Sequence, residues 1–342
     1  MPGDLDQGRI LIVGASLAGL RAAETLREEG FTGSLTMVGD EPHPPYDRPP
    51  LSKQVLLGKA AANATALPAR RALDADWRLG VAATGLDAAG KRVLLADGTS
   101  LPYDRLLIAT GTRARPWPDP AQAALDGVLT LRTSDDAARL AERLAAGPRR
   151  VLVIGAGFTG SEIASACRER GIEVTVAERG PAPLVGALGG TLAKLAAGLQ
   201  RAHGVDLRCG VTVTALRGNG HFTGADLSDG DRVDAEVCVV AMGAVRNTEW
   251  LADSGLAAGR LGSPATRGAV SSTPTASSPT TSSWPVTSPA SRTRCSSTSC
   301  SPWSTGATRS RRPRSPPTTW STRGRCGART WRSRSSGPAS SG

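Results

Sequence analysis

Two glycine-rich motifs of the same kind lie in this chain, one near its start and one near its middle. Residues 14–19 read GASLAG and residues 155–160 read GAGFTG. Each motif follows a run of apolar residues and precedes a helix-forming segment, so its glycines lie at a tight turn between a strand and a helix. The free N–H groups and the dipole at the start of such a helix bind phosphate. The two motifs therefore predict two bound dinucleotides.

The first motif has most of the residues that such a site needs. Gly14 permits the tight turn, and Gly19 allows the helix to pack closely on the strand. Ser16 replaces the middle glycine, and its side chain narrows the space for a phosphate. An acid after the second strand binds ribose hydroxyls in sites of this kind, and Asp40 and Glu41 both stand at that position. Taken alone, the motif is also consistent with a structural turn in any α/β protein.

The second motif keeps all three glycines of the pattern, which are Gly155, Gly157 and Gly160. Glu162 follows in the first turn of the predicted helix. The next predicted strand covers 173–177 and is followed by Glu178, whose carboxylate would accept hydrogen bonds from the adenosine ribose and repel a 2′-phosphate. That acid favours NADH over NADPH. A later strand, residues 237–243, ends in a small-residue turn at Gly243.

Two segments that follow the first glycine motif could also contact a nucleotide: a proline-rich segment and a strand that ends in a turn of small residues. Residues 44–53 (PPYDRPPLSK) are stiffened by prolines, and Ser52 could cap a helix that starts near Lys53. This segment is either a rigid surface loop or, given its place after the ribose acid, a part of the nucleotide site. Residues 104–111 predict a strand that ends in a turn where backbone can approach a cofactor closely. The turn consists of Ala109, Thr110 and Gly111.

The elements that must position these residues alternate between strands and helices. In the first unit we expect a strand over 9–13, a helix from 17 to about 29 and a strand over 35–38. The second unit repeats this order, with strands over 150–154 and 173–177 around a helix that ends near residue 170. Such an order predicts an α/β fold with two Rossmann-like dinucleotide-binding domains.

Charge and composition narrow the function classes. Residues 263–342 contain 12 arginines and no lysine or acid, so residues 1–262 carry only −1 of the total net charge of +11. The body of the protein therefore gives no electrostatic case for a nucleic-acid partner. No apolar run is long enough to span a bilayer, and the N-terminus lacks a signal-peptide pattern. The three cysteines of residues 1–262 are scattered, which suits a reduced, cytoplasmic chain and gives no reason to expect a metal site; they are Cys167, Cys209 and Cys238.

Over residues 9–256 the chain resembles a known family, through the strings VGASLAGLRAAETLR, GDEPHPPYDRPPLSK, YDRLLIATG, LRTSDDA, VIGAGFTGSEIA and AMGAVRN. These strings are similar to those of the FAD-dependent reductases that serve ferredoxins and rubredoxins, the putidaredoxin-reductase-like branch of the pyridine nucleotide-disulfide oxidoreductases. The resemblance implies an NAD-binding domain inserted into an FAD-binding domain, with a C-terminal domain that closes over both. The implied division is 1–114 for the first part of the FAD domain, 115–245 for the NAD domain and 246–262 for the return to the FAD domain.

The resemblance also implies roles for particular residues. Those implied to contact FAD are Ala18, Asp40 or Glu41, Arg48, Lys53, Ala83 and Arg132. Those implied to line the nicotinamide side are Gly155, Gly157, Gly160, Glu162, Glu178 and Gly243. Lys53 and Glu162 are similar to an ion pair beside the reactive nitrogen of the flavin, where a lysine would stabilise developing negative charge.

The implied activity is hydride transfer from NADH to FAD, followed by electron transfer to a [2Fe-2S] ferredoxin or a rubredoxin that serves an oxygenase. Relatives that use a protein disulfide carry nearby cysteines. Residues 40–55 contain none, and no Cys-x-x-Cys occurs in the chain. We therefore expect the electrons to leave the flavin directly.

The last part of the chain does not fit this interpretation. Residues 263–342 use only nine residue types and include no Leu, Ile or Phe, so we expect them to be disordered, without a closing domain. One hypothesis is an arginine-rich tail that binds nucleic acid. The other is out-of-frame translation of GC-rich DNA from near Gly262. Residues 283–289 (SWPVTSP) permit a shifted reading of Val-Ala-Gly-Asp-Val-Ala, the second FAD motif of the family, although only the alanine is forced. The chain would then be an inactive or nicotinamide-binding-only fragment.

Overall fold

The apolar runs of the two glycine-motif units form the centres of two parallel sheets. The computed structural model describes residues 7–256 and 258, and these all lie within a single compact unit. We call residues 7–114 the first half of the molecule and residues 115–245 the second half. The predicted α/β class with parallel sheets is confirmed.

The sheet of the first half has four parallel strands in the order β3-β2-β1-β7. Its strands are β1 (Arg9–Val13), β2 (Ser34–Gly39), β3 (Asp76–Leu79) and β7 (Arg105–Ile108). Helix α1 (Leu17–Glu28) connects β1 to β2. A three-stranded antiparallel sheet, not foreseen from the sequence, precedes β7 and consists of β4 (Ala83–Asp87), β5 (Arg92–Leu95) and β6 (Ser100–Pro102).

Five parallel strands in the order β12-β11-β10-β16-β9 make up the sheet of the second half. These strands are β9 (Val128–Leu129), β10 (Arg150–Ile154), β11 (Glu173–Glu178), β12 (Asp206–Cys209) and β16 (Val237–Val240). Its helices are α2 (Pro120–Ala123), α3 (Ser134–Ala145), α4 (Phe158–Glu169) and α5 (Val185–Ala202). A second antiparallel sheet consists of β13 (Val213–Asn219), β14 (His221–Leu227) and β15 (Arg232–Asp234).

The chain enters and leaves the second half through one antiparallel pair of strands. These are β8 (Thr112–Ala114) and β17 (Ala244–Arg246), which pair Thr112 with Arg246. The predicted domain limits at 114 and 245 fall within this pair, and the division itself stays a prediction. After β17 a short 3-10 helix (Glu249–Leu251) packs against β4.

The proline-rich segment differs from its prediction. A 3-10 helix covers Pro49–Ser52, and turns follow it, so the expected helix starting near Lys53 is wrong. The Ser52 hydroxyl contacts a side chain of the second half instead of capping a helix. Leu51 and Leu56 of the same segment are buried in a cluster that includes Ile163 of α4. Tertiary packing across the two halves therefore overrides the local capping signal.

None of the helices within residues 7–256 is both long and apolar enough to cross a membrane. Residues 263–342 lie outside the described residues, and so do the predictions made for them.

Candidate functional site

The first glycine loop has the backbone geometry that its sequence predicts. Gly14 has a φ of +124°, and a Cβ at this position would lie 2.1 Å from the carbonyl oxygen of Ala109. A Cβ at Gly19 would lie 2.1 Å from the carbonyl oxygen of Gly14. Both contacts are shorter than any side chain tolerates, so the close approach of β1, α1 and β7 requires glycine at both positions.

A cleft opens at the carboxyl ends of β1, β2 and β7, around this loop. Ten of the residues predicted to bind FAD line it: Gly14, Ser16, Asp40, Glu41, Arg48, Ala83, Ala109, Thr110, Gly111 and Arg132. Ala18, Gly19 and Lys53 are not among its lining residues. Ligands of open α/β sheets bind at this edge, where loops converge beyond the strand ends.

A polar network fixes the acidic wall of the cleft. One carboxylate oxygen of Glu41 accepts a hydrogen bond from the Tyr46 hydroxyl. The other carboxylate oxygen lies 2.7 Å from Nη2 of Arg48 and forms an ion pair with it. Tyr46 in turn accepts a hydrogen bond from the backbone N–H of Ser134, at the start of α3. Burial, followed by the hydrogen bond to Glu41, raises the pKa of the Tyr46 phenol. The hydroxyl therefore stays protonated and donates to Glu41.

Two arginines, Arg48 and Arg132, bring positive charge to the cleft beside Glu41. Nη1 of Arg48 donates to the carbonyl oxygen of Arg132 at 2.7 Å, and Nε of Arg132 donates to the carbonyl oxygen of Thr112 at 3.0 Å. Burial, followed by the nearby charge of Arg48, lowers the pKa of the Arg132 guanidinium. The charge of Arg48 is paired with Glu41, whereas the side chain of Arg132 donates to a neutral carbonyl oxygen. Guanidinium groups lining the cleft are suited to bind a diphosphate, so the residues present fit an anionic dinucleotide.

The cleft also has a wall that the sequence analysis missed. The Thr110 hydroxyl donates a hydrogen bond to the backbone carbonyl oxygen of Asn247 at 2.7 Å. The side-chain amide of Asn247 donates in return to the backbone carbonyl oxygen of Thr110 at 3.0 Å. Trp250 lines the same cleft. The motif AMGAVRN contains Asn247, but no local pattern marks residue 250, because its place depends on the packing of the last 3-10 helix against β4.

The second glycine loop repeats the geometry of the first. Gly155 has a φ of +102°, and a Cβ there would lie 2.6 Å from the carbonyl oxygen of Ala241. A Cβ at Gly160 would lie 1.9 Å from the carbonyl oxygen of Gly155. Apart from Gly157 itself and its chain neighbours, no residue has an atom within 4 Å of the position of a Cβ at Gly157. Gly157 therefore leaves open the space in front of the α4 N-terminus, where a phosphate would bind.

Glu178 lies at the end of β11, as predicted, and stabilises the glycine loop. Its two carboxylate oxygens accept hydrogen bonds from the backbone N–H groups of Ala156 and Gly180, each at 2.6 Å. Gly243 follows the neighbouring strand β16 and has a φ of +89°. The structure thus brings the second loop, Glu178 and the turn at Gly243 to one edge of the five-stranded sheet.

Lys53 and Glu162 meet at the boundary between the two halves. Their Nζ and Oε1 atoms are 2.9 Å apart, and the Ser52 hydroxyl donates to the other oxygen of Glu162. Nζ of Lys53 also donates to the carbonyl oxygen of Pro49 at 3.1 Å. The two residues come from the proline-rich segment of the first half and from α4 of the second, so their contact joins the two halves.

The three described cysteines do not form a disulfide with one another. Each is a free thiol. Burial raises the pKa of all three thiols, and that of Cys167 reaches about 12. Buried thiols with raised pKa values are poor nucleophiles, because the thiolate is the reactive form.

Comparison with known proteins agrees with this architecture. Residues 8–271 match the family described as pyridine nucleotide-disulphide oxidoreductase. Rhodocoxin reductase of Rhodococcus erythropolis is 39% identical over 252 residues, which are 72% of this chain and 58% of that protein. A ferredoxin–NAD(+) reductase component of the p-cumate 2,3-dioxygenase system of Pseudomonas putida is 36% identical over 247 residues, which are 71% of this chain and 60% of that protein.

The solved structure of a covalent putidaredoxin reductase–putidaredoxin complex superposes with a TM-score of 0.69 at 32% identity, covering 73% of this chain and 61% of that one. This chain thus spans about three fifths of the length of the relatives it matches. The family match covers most of the chain, and it includes both glycine loops and the contact between the halves. On these grounds the chain belongs to the pyridine nucleotide-disulphide oxidoreductase family.

Proposed function

We propose that this protein is an FAD-dependent oxidoreductase that takes hydride from NADH and passes electrons to a [2Fe-2S] ferredoxin or a rubredoxin serving an oxygenase. The observation that carries the proposal is the presence of two glycine loops in one unit, joined by the contact of Lys53 with Glu162. The names of relatives that are ferredoxin–NAD(+) reductase components of dioxygenase systems support the choice of partner.

The first cleft would hold FAD. Backbone N–H groups at the start of α1 and the guanidinium groups of Arg48 and Arg132 would bind its diphosphate, and Asp40 and Glu41 would bind its adenosine ribose. When bound, FAD supplies a ring that accepts two electrons as hydride and releases them one at a time. The protein's contribution is to hold and orient the groups, with the Lys53 ammonium stabilising negative charge.

The second loop would hold NADH. Its diphosphate would lie over Gly157 at the start of α4, and Glu178 would bind the adenosine ribose while repelling a 2′-phosphate. NADPH is the less favoured coenzyme for that reason. The boundary at which Ser52, Lys53 and Glu162 meet is where the two bound rings would have to stack.

The described cysteines favour direct transfer to an iron–sulfur protein over a disulfide relay, since all three are free thiols and Cys167 and Cys238 are buried with raised pKa values. Free thiols also suit a cytoplasmic location. No nucleic-acid partner is proposed for residues 7–256.

A second candidate is an inactive or nicotinamide-binding-only fragment. It is favoured by the composition of residues 263–342, which contain no leucine, isoleucine, lysine or acid. We infer that these residues are translated out of frame. Resequencing the DNA that encodes residues 255–289 tests this inference, since a gained or lost base would put residues 283–289 into the frame that permits the family's second FAD motif.

The two candidates are separated by the colour and turnover of the purified chain. The main proposal expects a yellow protein that reduces a [2Fe-2S] ferredoxin faster with NADH than with NADPH. A colourless protein that still binds NADH, measured by quenching of tryptophan fluorescence, would support the fragment and contradict the reductase.

A further inference from the structure

The proline-rich segment of the first half continues into residues that pack along α4 of the second half. We call residues 49–60 the strap. Leu51 and Leu56 of the strap are 2% and 0% exposed, and they belong to the same buried cluster as Ile163 and Cys167 of α4. The strap is therefore a fixed part of the boundary between the two halves.

Polar contacts join the strap to α4 at both of its ends. At the near end, Glu162 accepts a hydrogen bond from Ser52 and forms the ion pair with Lys53. At the far end, two turns along α4, Lys59 forms an ion pair with Glu169 at 2.7 Å, and Arg170 donates to the Leu56 carbonyl at 2.9 Å. Each end therefore has an ion pair between a lysine of the strap and a glutamate of α4. In addition, the glutamate at the near end accepts a hydrogen bond from the hydroxyl of a buried serine.

That hydroxyl determines how well Glu162 is held. The side chain of Lys53 is 46% exposed and has four rotatable bonds, and an exposed ion pair of this kind restrains its partners weakly. Ser52 is 7% exposed, its side chain has a single rotatable carbon–carbon bond, and its hydroxyl donates to a charged acceptor. With one oxygen fixed by Ser52, the other oxygen of Glu162 faces Lys53 in one orientation.

We propose that Ser52 is a positioning residue, which fixes Glu162 so that the carboxylate holds the Lys53 ammonium at the boundary between the two nucleotide sites. The importance of that ammonium for turnover rests on the proposed function. The positioning itself concerns protein atoms only and is measurable without any cofactor.

The first test is competitive acetylation of the full chain, freed of nucleotides, with acetic anhydride and mass spectrometry. The chain has four lysines, at positions 53, 59, 91 and 194, so each reports separately. In Ser52→Ala we expect Lys53 to be labelled several-fold faster than in the parent, because its partner Glu162 is no longer fixed. Labelling of Lys59 should stay unchanged and serves as the internal control. Ser52→Thr, which keeps the hydroxyl, should restore the slow labelling of Lys53.

Equal labelling of Lys53 in Ser52→Ala and in the parent would overturn the proposal, whether or not the chain binds FAD. A parallel rise at Lys53 and Lys59 would also overturn it, because that result would mean general loosening of the strap. Glu162→Gln provides the upper limit of the Lys53 rate, since it removes the charge of the partner.

The second test measures the rate of flavin reduction by NADH in protein loaded with FAD. We expect Ser52→Ala to lower this rate roughly tenfold without changing the NADH concentration at half-saturation, and Lys59→Ala to change neither. A rate unchanged in Ser52→Ala, together with faster labelling of Lys53, would leave the positioning intact and contradict the catalytic role assigned to Lys53 in the proposed function. Equal losses in Ser52→Ala and Lys59→Ala would overturn the special role of Ser52.

Discussion

At the scale of single residues, Glu178 combines an observed structural role with a proposed binding role, and a substitution can separate the two. Its carboxylate accepts hydrogen bonds from the Ala156 and Gly180 N–H groups, and it would also face the ribose of NADH. Because an amide offers only one accepting oxygen, Glu178→Gln should raise the Kd of NADH roughly tenfold, which corresponds to about 1.4 kcal/mol. The Kd of NADPH should rise less, because the charge that repels its 2′-phosphate is also removed.

Titration of both coenzymes against tryptophan fluorescence measures this change in preference. Glu173→Gln is the matched control, since that acid lies at the other end of β11 and pairs with Arg150 at 2.5 Å. Equal weakening of NADH and NADPH in Glu178→Gln would mean that the acid only shapes the glycine loop.

A second prediction at this scale concerns pH. The guanidinium of Arg9 hydrogen-bonds to Asp104 and lowers the pKa of that carboxyl to about 2. A carboxyl whose pKa is lower in the folded chain than in the unfolded chain, where it is about 3.9, stabilises the fold at pH values above about 3.9. This stabilisation is lost as the pH falls towards about 2. Asp104→Asn should therefore lower the free energy of unfolding slightly at pH 7, and the difference from the parent should shrink below pH 4.

Urea unfolding at pH 7, 5 and 3 follows this difference. The effect is expected to be small because both side chains are largely exposed, at 53% for Arg9 and 42% for Asp104. A difference that stays constant down to pH 3 would rule out the ion pair as its source.

At the scale of elements, the glycines of the second loop are required for different reasons. Gly155→Ala would place a Cβ 2.6 Å from the Ala241 carbonyl at a φ of +102°, so it should destabilise the fold by more than about 2 kcal/mol. Gly157→Ala meets nothing within 4 Å and should leave the unfolding free energy within about 0.5 kcal/mol of the parent. It should still weaken NADH binding, because the new methyl group occupies the space for the diphosphate.

The two variants are compared by denaturant unfolding and by NADH titration. Gly157→Ser is a useful third variant, because it places in the second loop the same residue type that the first loop has at the equivalent position, Ser16. If Gly157→Ala binds NADH as tightly as the parent, the diphosphate does not pass over this residue.

The elements also explain which features the sequence predicts and which it does not. The apolar runs at 9–13 and 150–154 coincide with β1 and β10, since strands buried on both faces leave an uninterrupted apolar signal. The contact of Ser52 with Glu162 joins residues 110 positions apart, and no local pattern encodes it. The position of Trp250 in the cleft likewise depends on tertiary packing. Motif reasoning therefore finds the two loops but misses much of what connects them.

At the scale of the whole molecule, α5 presents an apolar face to the outside of the described part of the chain. Its buried residues are the small Ala193 and Ala197, whereas Leu195 and Leu199 are 70% and 60% exposed. Leu192 continues the same face at helical spacing and is 53% exposed. Leu188, 38% exposed, lies before Gly189, where the helix is kinked. A contiguous apolar face of this kind favours self-association in water.

Replacing two of these leucines tests how the face behaves in solution. In Leu195→Gln/Leu199→Gln we expect the free energy of unfolding to stay within about 1 kcal/mol of the parent, because little buried area is lost. Light scattering at rising protein concentration should detect less aggregation than in the parent. Ala197→Gln, on the buried face of the same helix, is the control and should destabilise the fold strongly, since its longer polar side chain would enter the core. If the double variant instead loses 3 kcal/mol or more, the leucines are covered by other parts of the protein in solution, and the apolar face is a packing surface within the folded chain.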